Sequence, residues 1–163
     1  MTLTLLRNFR LLDPAIADEL VEGHELLVEG DTVRELSDEP IKSANARVID
    51  CGKRTLMPGL VDCHVHVIAT MVNIGQNAQV PDALIAYRAA RIMKGMLDRG
   101  FTTVRDLGGA TYPLVEAQEQ GLIEAPRLII PGKALSQTGG HGDSRSRYDR
   151  RDPETWTLSL IHI

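Results

Sequence analysis

The rhythm of apolar and polar positions changes near residue 58. Before it, apolar residues come in short runs separated by turn-forming residues. TLTLLRNFRLL comes first, then ELLVE and TVREL on either side of Gly30-Asp31, then residues 46–51, closed by Gly52-Lys53. Short apolar runs between turn signals predict strands, and the two runs around Gly30-Asp31 predict a hairpin. Pro58-Gly59 marks the break. Beyond it, strand-like and helix-like stretches alternate. Residues 60–67 predict a strand. Residues 82–99 place Ile85, Ala89, Ile92, Met93 and Met96 on one helical face. Pro81 suits the first turn of that helix and Gly100 its end. Residues 101–107 predict a second strand. Residues 112–120 predict a second helix, with Thr111 as N-cap, Pro113 in the first turn and Gly121 after it. Residues 127–134 predict a third strand. The order strand–helix–strand–helix–strand predicts right-handed crossovers and a parallel sheet.

Composition narrows the class. Of 163 residues, 43% are apolar and 25% charged, as in a globular protein rather than a disordered one. The net charge of −4 argues against nucleic acid as a partner. Residues 1–14, MTLTLLRNFRLLDP, are interrupted by Arg7, Asn8 and Arg10, so neither a signal peptide nor a membrane span is expected. Cys51 and Cys63 are too few for a disulfide framework. They read as free thiols of a reducing compartment, and the expected location is the cytoplasm.

The candidate chemistry lies in MPGLVDCHVH, residues 57–66. Alternation along a strand puts Asp62, His64 and His66 on one face and Val61, Cys63, Val65 and Val67 on the other. The second face is apolar and suits packing under helices. Two imidazoles at i and i+2 stand about 7 Å apart at Cα, so their rings can converge on one divalent ion. Neutral imidazole suits zinc, nickel, iron or manganese alike. The pair sits at the C-terminal end of the first parallel strand, where the loops of α/β barrels build active sites.

PGLVDCHVH resembles the first-strand signature of the amidohydrolase superfamily. GFTTVRDLGG, residues 100–109, resembles its second barrel strand. ALSQTGGHGD, residues 134–143, is similar to the loop after the third strand in the imidazolonepropionase-like and prolidase-like branch. The resemblance implies an α/β fold: strands 1–3 of a metal-dependent (β/α)8 TIM barrel, preceded by a small β-sandwich segment. It divides the chain into a sandwich segment at 1–57, the first part of the barrel at 58–152 and an unmatched tail at 153–163. It implies a divalent metal, zinc first, with His64 and His66 as metal ligands and Asp62 orienting a ring or the strand end. The metal supplies water activation and polarisation of the scissile carbonyl. His141, flanked by glycines, is implied as the catalytic, substrate-binding residue of the third loop.

The implied activity is hydrolysis of carbon–nitrogen amide or peptide bonds, releasing a C-terminal residue or splitting a dipeptide. A cyclic-amide hydrolase of the imidazolonepropionase kind is the nearest alternative. A non-catalytic fragment, or a subunit completed by a second polypeptide, is an alternative of another class. The partner is then a small peptide-like molecule, with no nucleic acid and no membrane, and a homo-oligomer stays open. The remaining ligands in the superfamily come from strands 4–8. A whole barrel takes roughly 250 residues, so a truncated chain is expected.

Other residues read more simply. Arg105 and Asp106 suggest an internal ion pair or hydrogen-bond network. His24 reads as a surface residue. Arg145, Arg147, Arg150 and Arg151 read as a solvated loop that could attract an anion. Trp156 reads as a packing residue, and His162 matches no ligand position.

Overall fold

The structure is a computed structural model that describes residues 2–16, 18–138, 140, 143, 145–148 and 157–159. It divides into two compact units, Met1–Pro58 and Gly59–Ile163.

The first unit is built of strands. β1 (Leu3–Arg7), β3 (Glu25–Glu29), β4 (Thr32–Ser37) and β5 (Arg47–Asp50) form one sheet in the order β4-β3-β1-β5. β3 and β4 make the expected hairpin. Glu29 pairs with Thr32, and Gly30 takes a positive φ of 63° in the two-residue turn. β1 runs antiparallel to β3 and parallel to β5. The predicted first strand is divided in two. Asn8 adopts φ 56° and ends β1, and the chain resumes as β2 (Arg10–Leu11), paired in parallel with β6 (Thr55–Leu56). Asparagine tolerates the left-handed region because its short polar side chain finds a local partner. Here its amide donates to Asp50 Oδ1 at 2.7 Å. Leu5, Leu27 and Ile41 form the buried cluster of this unit.

The second unit is α/β. β7 (Leu60–Val65), β8 (Phe101–Asp106) and β9 (Arg127–Ile129) pair in parallel in the order β7-β8-β9. Between β7 and β8 lie the short α1 (Ile74–Asn77), which the apolar pattern did not announce, and α2 (Asp82–Asp98). Ile85, Ala89 and Met93 are the buried residues of α2, as helical spacing predicts. Pro81 is the N-cap, one position outside the first turn, and Gly100 follows the C-cap with φ 93°. α3 (Tyr112–Glu119) starts at Thr111, whose hydroxyl makes no capping hydrogen bond, and Gly121 follows its end with φ 68°. Val65, Val67, Ala89, Met93, Val104, Ala110, Leu114 and Leu128 make one buried cluster between sheet and helices. The predicted third strand stops at Ile129. Pro131 offers no N–H for a ladder, Gly132 turns at φ 82°, and the chain resumes as β10 (Ala134–Ser136). β10 pairs in parallel with β11 (Thr157–Ser159).

Among the described residues, no helix is long and apolar enough to cross a membrane.

Candidate metal-binding site

β7 ends at the rim formed by the loops that follow β7, β8 and β9. Its path there is not the regular alternation that the sequence implies. Asp62 pairs with Val104 and Val65 pairs with Asp106, so three steps along β7 match two along β8. This is the register of a bulge, which re-aims side chains beside it. Asp62 Oδ1 accepts from the backbone N–H of His64 at 3.0 Å, a short-range bond that competes with the ladder. Arg105 Nε reaches across to the Cys63 carbonyl at 3.0 Å. Burial along the face expected to be apolar is uneven. Val65 and Val67 are buried under the helices, but Val61 is 60% exposed and Cys63 is exposed too.

The bulge leaves the two histidines together. The rings of His64 and His66 lie with centroids 5.6 Å apart and planes at 77°, both on exposed residues. An imidazole nitrogen sits about 2.0–2.1 Å from a bound zinc. Two rings sharing one ion then have centroids roughly 5–6 Å apart, so the observed spacing fits. His66 has a second fitting feature. Its Nδ1 lies 3.2 Å from the carbonyl oxygen of Gly108. A carbonyl only accepts, so this bond requires the proton on Nδ1 and leaves Nε2 with its lone pair. A hydrogen bond of this kind on the far ring nitrogen is the usual support of a metal-binding histidine.

Gly108 is held where this contact needs it. A Cβ at this residue would overlap the side chain of Ala134, and its φ is 150°. The next residue, Gly109, donates its N–H to the Gly132 carbonyl at 2.8 Å. The loops after β8 and β9 are thus joined beside His66. The loop after β7 is braced by Asn77, which is fully buried. Its Oδ1 accepts from Thr70 N at 3.0 Å and Thr70 Oγ1 at 2.8 Å, and its Nδ2 donates to the Ile68 carbonyl at 3.1 Å.

Arg105 and Asp106 do not pair with each other; they serve different backbone groups. Asp106 was legible as part of a network, but its partners were not. Its carboxylate accepts from N–H groups on both the β7 and β8 loops. The only signal in the sequence is an aspartate two residues before a Gly-Gly turn. His141 lies outside the described residues, as do Trp156, His162, Arg150 and Arg151. Arg147 is exposed. Arg145 clasps Asp143 through two bonds of 2.7 Å, so it is paired and not a free solvated charge. His24 is half-buried rather than on the surface. A cavity of about 460 Å³ between α2 and α3 is lined by residues such as Ile85, Tyr87 and Leu114, and neither His64 nor His66 is among them. Among the described residues, no cluster of three or more His, Cys, Asp or Glu could hold a metal. The histidine pair therefore offers two donors.

The pattern of the amidohydrolase family matches residues 55–160, which takes in the histidine pair, Asp106 and the Gly108 loop. The chain belongs to the amidohydrolase family. It is similar to the crystal structure of an amidohydrolase, with 54% identity and a TM-score of 0.86, over 93% of this chain and 37% of that one. It is also similar to the crystal structure of a prolidase complexed with N-methylphosphonate-L-proline, with 47% identity and a TM-score of 0.86, again over 93% and 37%. Among curated proteins, it is 37% identical to the ochratoxinase of Aspergillus niger over 91 residues, 54% of this chain and 19% of that protein. The chain thus spans about a fifth of this curated relative and just over a third of each of these two structures. The match is to the N-terminal part of amidohydrolase barrel proteins, a family of hydrolases of carbon–nitrogen bonds whose members generally depend on divalent metals.

Proposed function

We propose that this chain supplies the first two metal ligands, His64 and His66, of a hydrolase that cleaves the amide bond of small peptide-like substrates. The observation that carries this reading is the ring pair itself, 5.6 Å between centroids, with Nδ1 of His66 engaged by Gly108. Zinc is the first choice of metal, because neutral imidazole suits it and the exposed rings impose no other geometry. When bound, such an ion supplies Lewis acidity, which acidifies water and polarises a carbonyl. The chain's own residues do the positioning. His64 and His66 offer lone pairs, Asp62 holds the backbone of His64, and Gly108 sets the tautomer of His66.

The substrate class is a dipeptide with C-terminal proline or a related C-terminal residue. The likeness to a prolidase solved with an N-methylphosphonate-L-proline ligand supports this choice. His141 is assigned to the substrate rather than to the metal. In this reading the second unit forms strands 1–3 of a (β/α)8 barrel over residues 58–152, with 153–163 outside it. Residues 1–57 belong to a β-sandwich. The partner is the small substrate and neither nucleic acid nor membrane, and the compartment is the cytoplasm.

The test is direct. Zinc or cobalt content and hydrolysis of an Xaa-Pro dipeptide are measured in a protein that joins this chain to the remaining barrel strands. The expected result is bound metal and turnover, both lost in His64→Ala. Turnover that survives both His64→Ala and exhaustive chelation would refute the reading.

A further inference from the structure

Asp106 is 0% exposed and its carboxyl has no place in the chemistry proposed above. Burying a carboxylate is costly unless its oxygens are satisfied. Here they are satisfied entirely by backbone N–H groups of the rim. Oδ2 accepts from Val67 N at 2.7 Å. Oδ1 accepts from Gly108 N at 2.8 Å and from Ala110 N at 3.3 Å. Val67 follows His66 directly, and Gly108 carries the carbonyl that lies 3.2 Å from His66 Nδ1. One carboxylate thus binds the backbone on both sides of the His66–Gly108 contact.

We propose that Asp106 is a positioning residue for His66: it locks Val67 and Gly108 together so that the Gly108 carbonyl accepts a hydrogen bond from Nδ1–H and Nε2 stays free for an ion. The inference rests on His66 being a metal ligand. Its structural half, the choice of tautomer, stands without any metal. The chemistry of the carboxylate explains why aspartate is needed. It accepts from all three N–H groups at once. An asparagine turns an NH2 donor toward at least one of them and sets donor against donor. The loop then shifts, and the Gly108 carbonyl loses its hold on the ring.

The experiment uses the 163-residue chain, with zinc ion as the probe. In the metal-free chain, long-range 15N–1H NMR at a pH where the ring is neutral reports which nitrogen of His66 carries the proton. The expected result is Nδ1–H in the wild type and a mixture of tautomers in Asp106→Asn. Finding Nε2–H in the wild type would overturn the proposal, and that measurement holds even if Asp106→Asn fails to fold. Zinc titrations form the second arm. Asp106→Asn should weaken binding about tenfold, within the range expected for removing the support behind a ligand. The same substitution in a His66→Ala background should leave the residual affinity unchanged. An equal loss in both backgrounds would make Asp106 a merely structural residue. If the wild type binds no zinc, the metal reading fails, while the tautomer still decides whether Asp106 positions His66.

Discussion

Gly108 and Ala134 touch so closely that only a glycine fits: a Cβ at Gly108 would overlap the Ala134 side chain. The same glycine presents its carbonyl to His66. Close packing of two loops and the orientation of a ring therefore depend on one missing methyl group. Gly108→Ala should lower stability by about 1–3 kcal/mol, the usual cost of overpacking, and should also weaken zinc binding. Thermal unfolding and zinc titration of the variant check this. A variant as stable as the wild type would mean that the loops after β8 and β9 separate without cost.

The histidine pair makes a prediction about metal and turnover together. In a protein with all eight barrel strands, His64→Ala should lose both metal and hydrolysis. His141→Ala should lose turnover and keep its metal, since it is assigned to the substrate. Equal metal loss in the two variants would make His141 a ligand. The 163-residue chain, with two donors where zinc sites use three or four, should hydrolyse little or nothing with zinc added.

Cys63 is exposed and Cys51 only half-exposed. A thiol reagent should therefore label Cys63 first, because a reagent reaches the exposed thiol more readily. Zinc bound to its neighbours His64 and His66 should slow that labelling. Mass spectrometry of the partly labelled chain distinguishes the two sites. Equal rates with and without zinc would argue against an ion bound beside Cys63.

Asp50 offers a test by pH. The Gly52 N–H, first, and the Asn8 amide, second, hold its carboxyl below the ordinary carboxylate range. A lowered value contributes stability that is present above that range and is lost as pH falls through the folded value. Asn8→Gly keeps the left-handed backbone and removes only the amide donor. The NMR titration midpoint of Asp50 should move up in this variant. An unmoved midpoint would remove Asn8 as a cause.

Local chemistry made much of the fold legible. The hairpin at Gly30-Asp31 and α2 with its face of Ile85, Ala89 and Met93 follow from turn residues and periodicity. The parallel order of β7, β8 and β9 follows from strands separated by helices. The closeness of His64 and His66 was legible too, because residues two apart on one strand are near neighbours. The second helix was found but its cap was not, since Thr111 has cap geometry without the bond.

What the sequence alone determined was the identity of the elements and the residue types at the end of the first parallel strand. Those depend on neighbours within a few positions. Tertiary structure decided what surrounds them. The register between Asp62 and Val65 is set by pairing with β8, and Arg105, 42 positions on, binds the Cys63 carbonyl there. The support of His66 comes from Gly108, 42 positions further on, and the role of Asp106 depends on N–H groups from two loops. A buried carboxylate needs partners wherever the fold delivers them, and spacing along the chain does not record which backbone groups those will be.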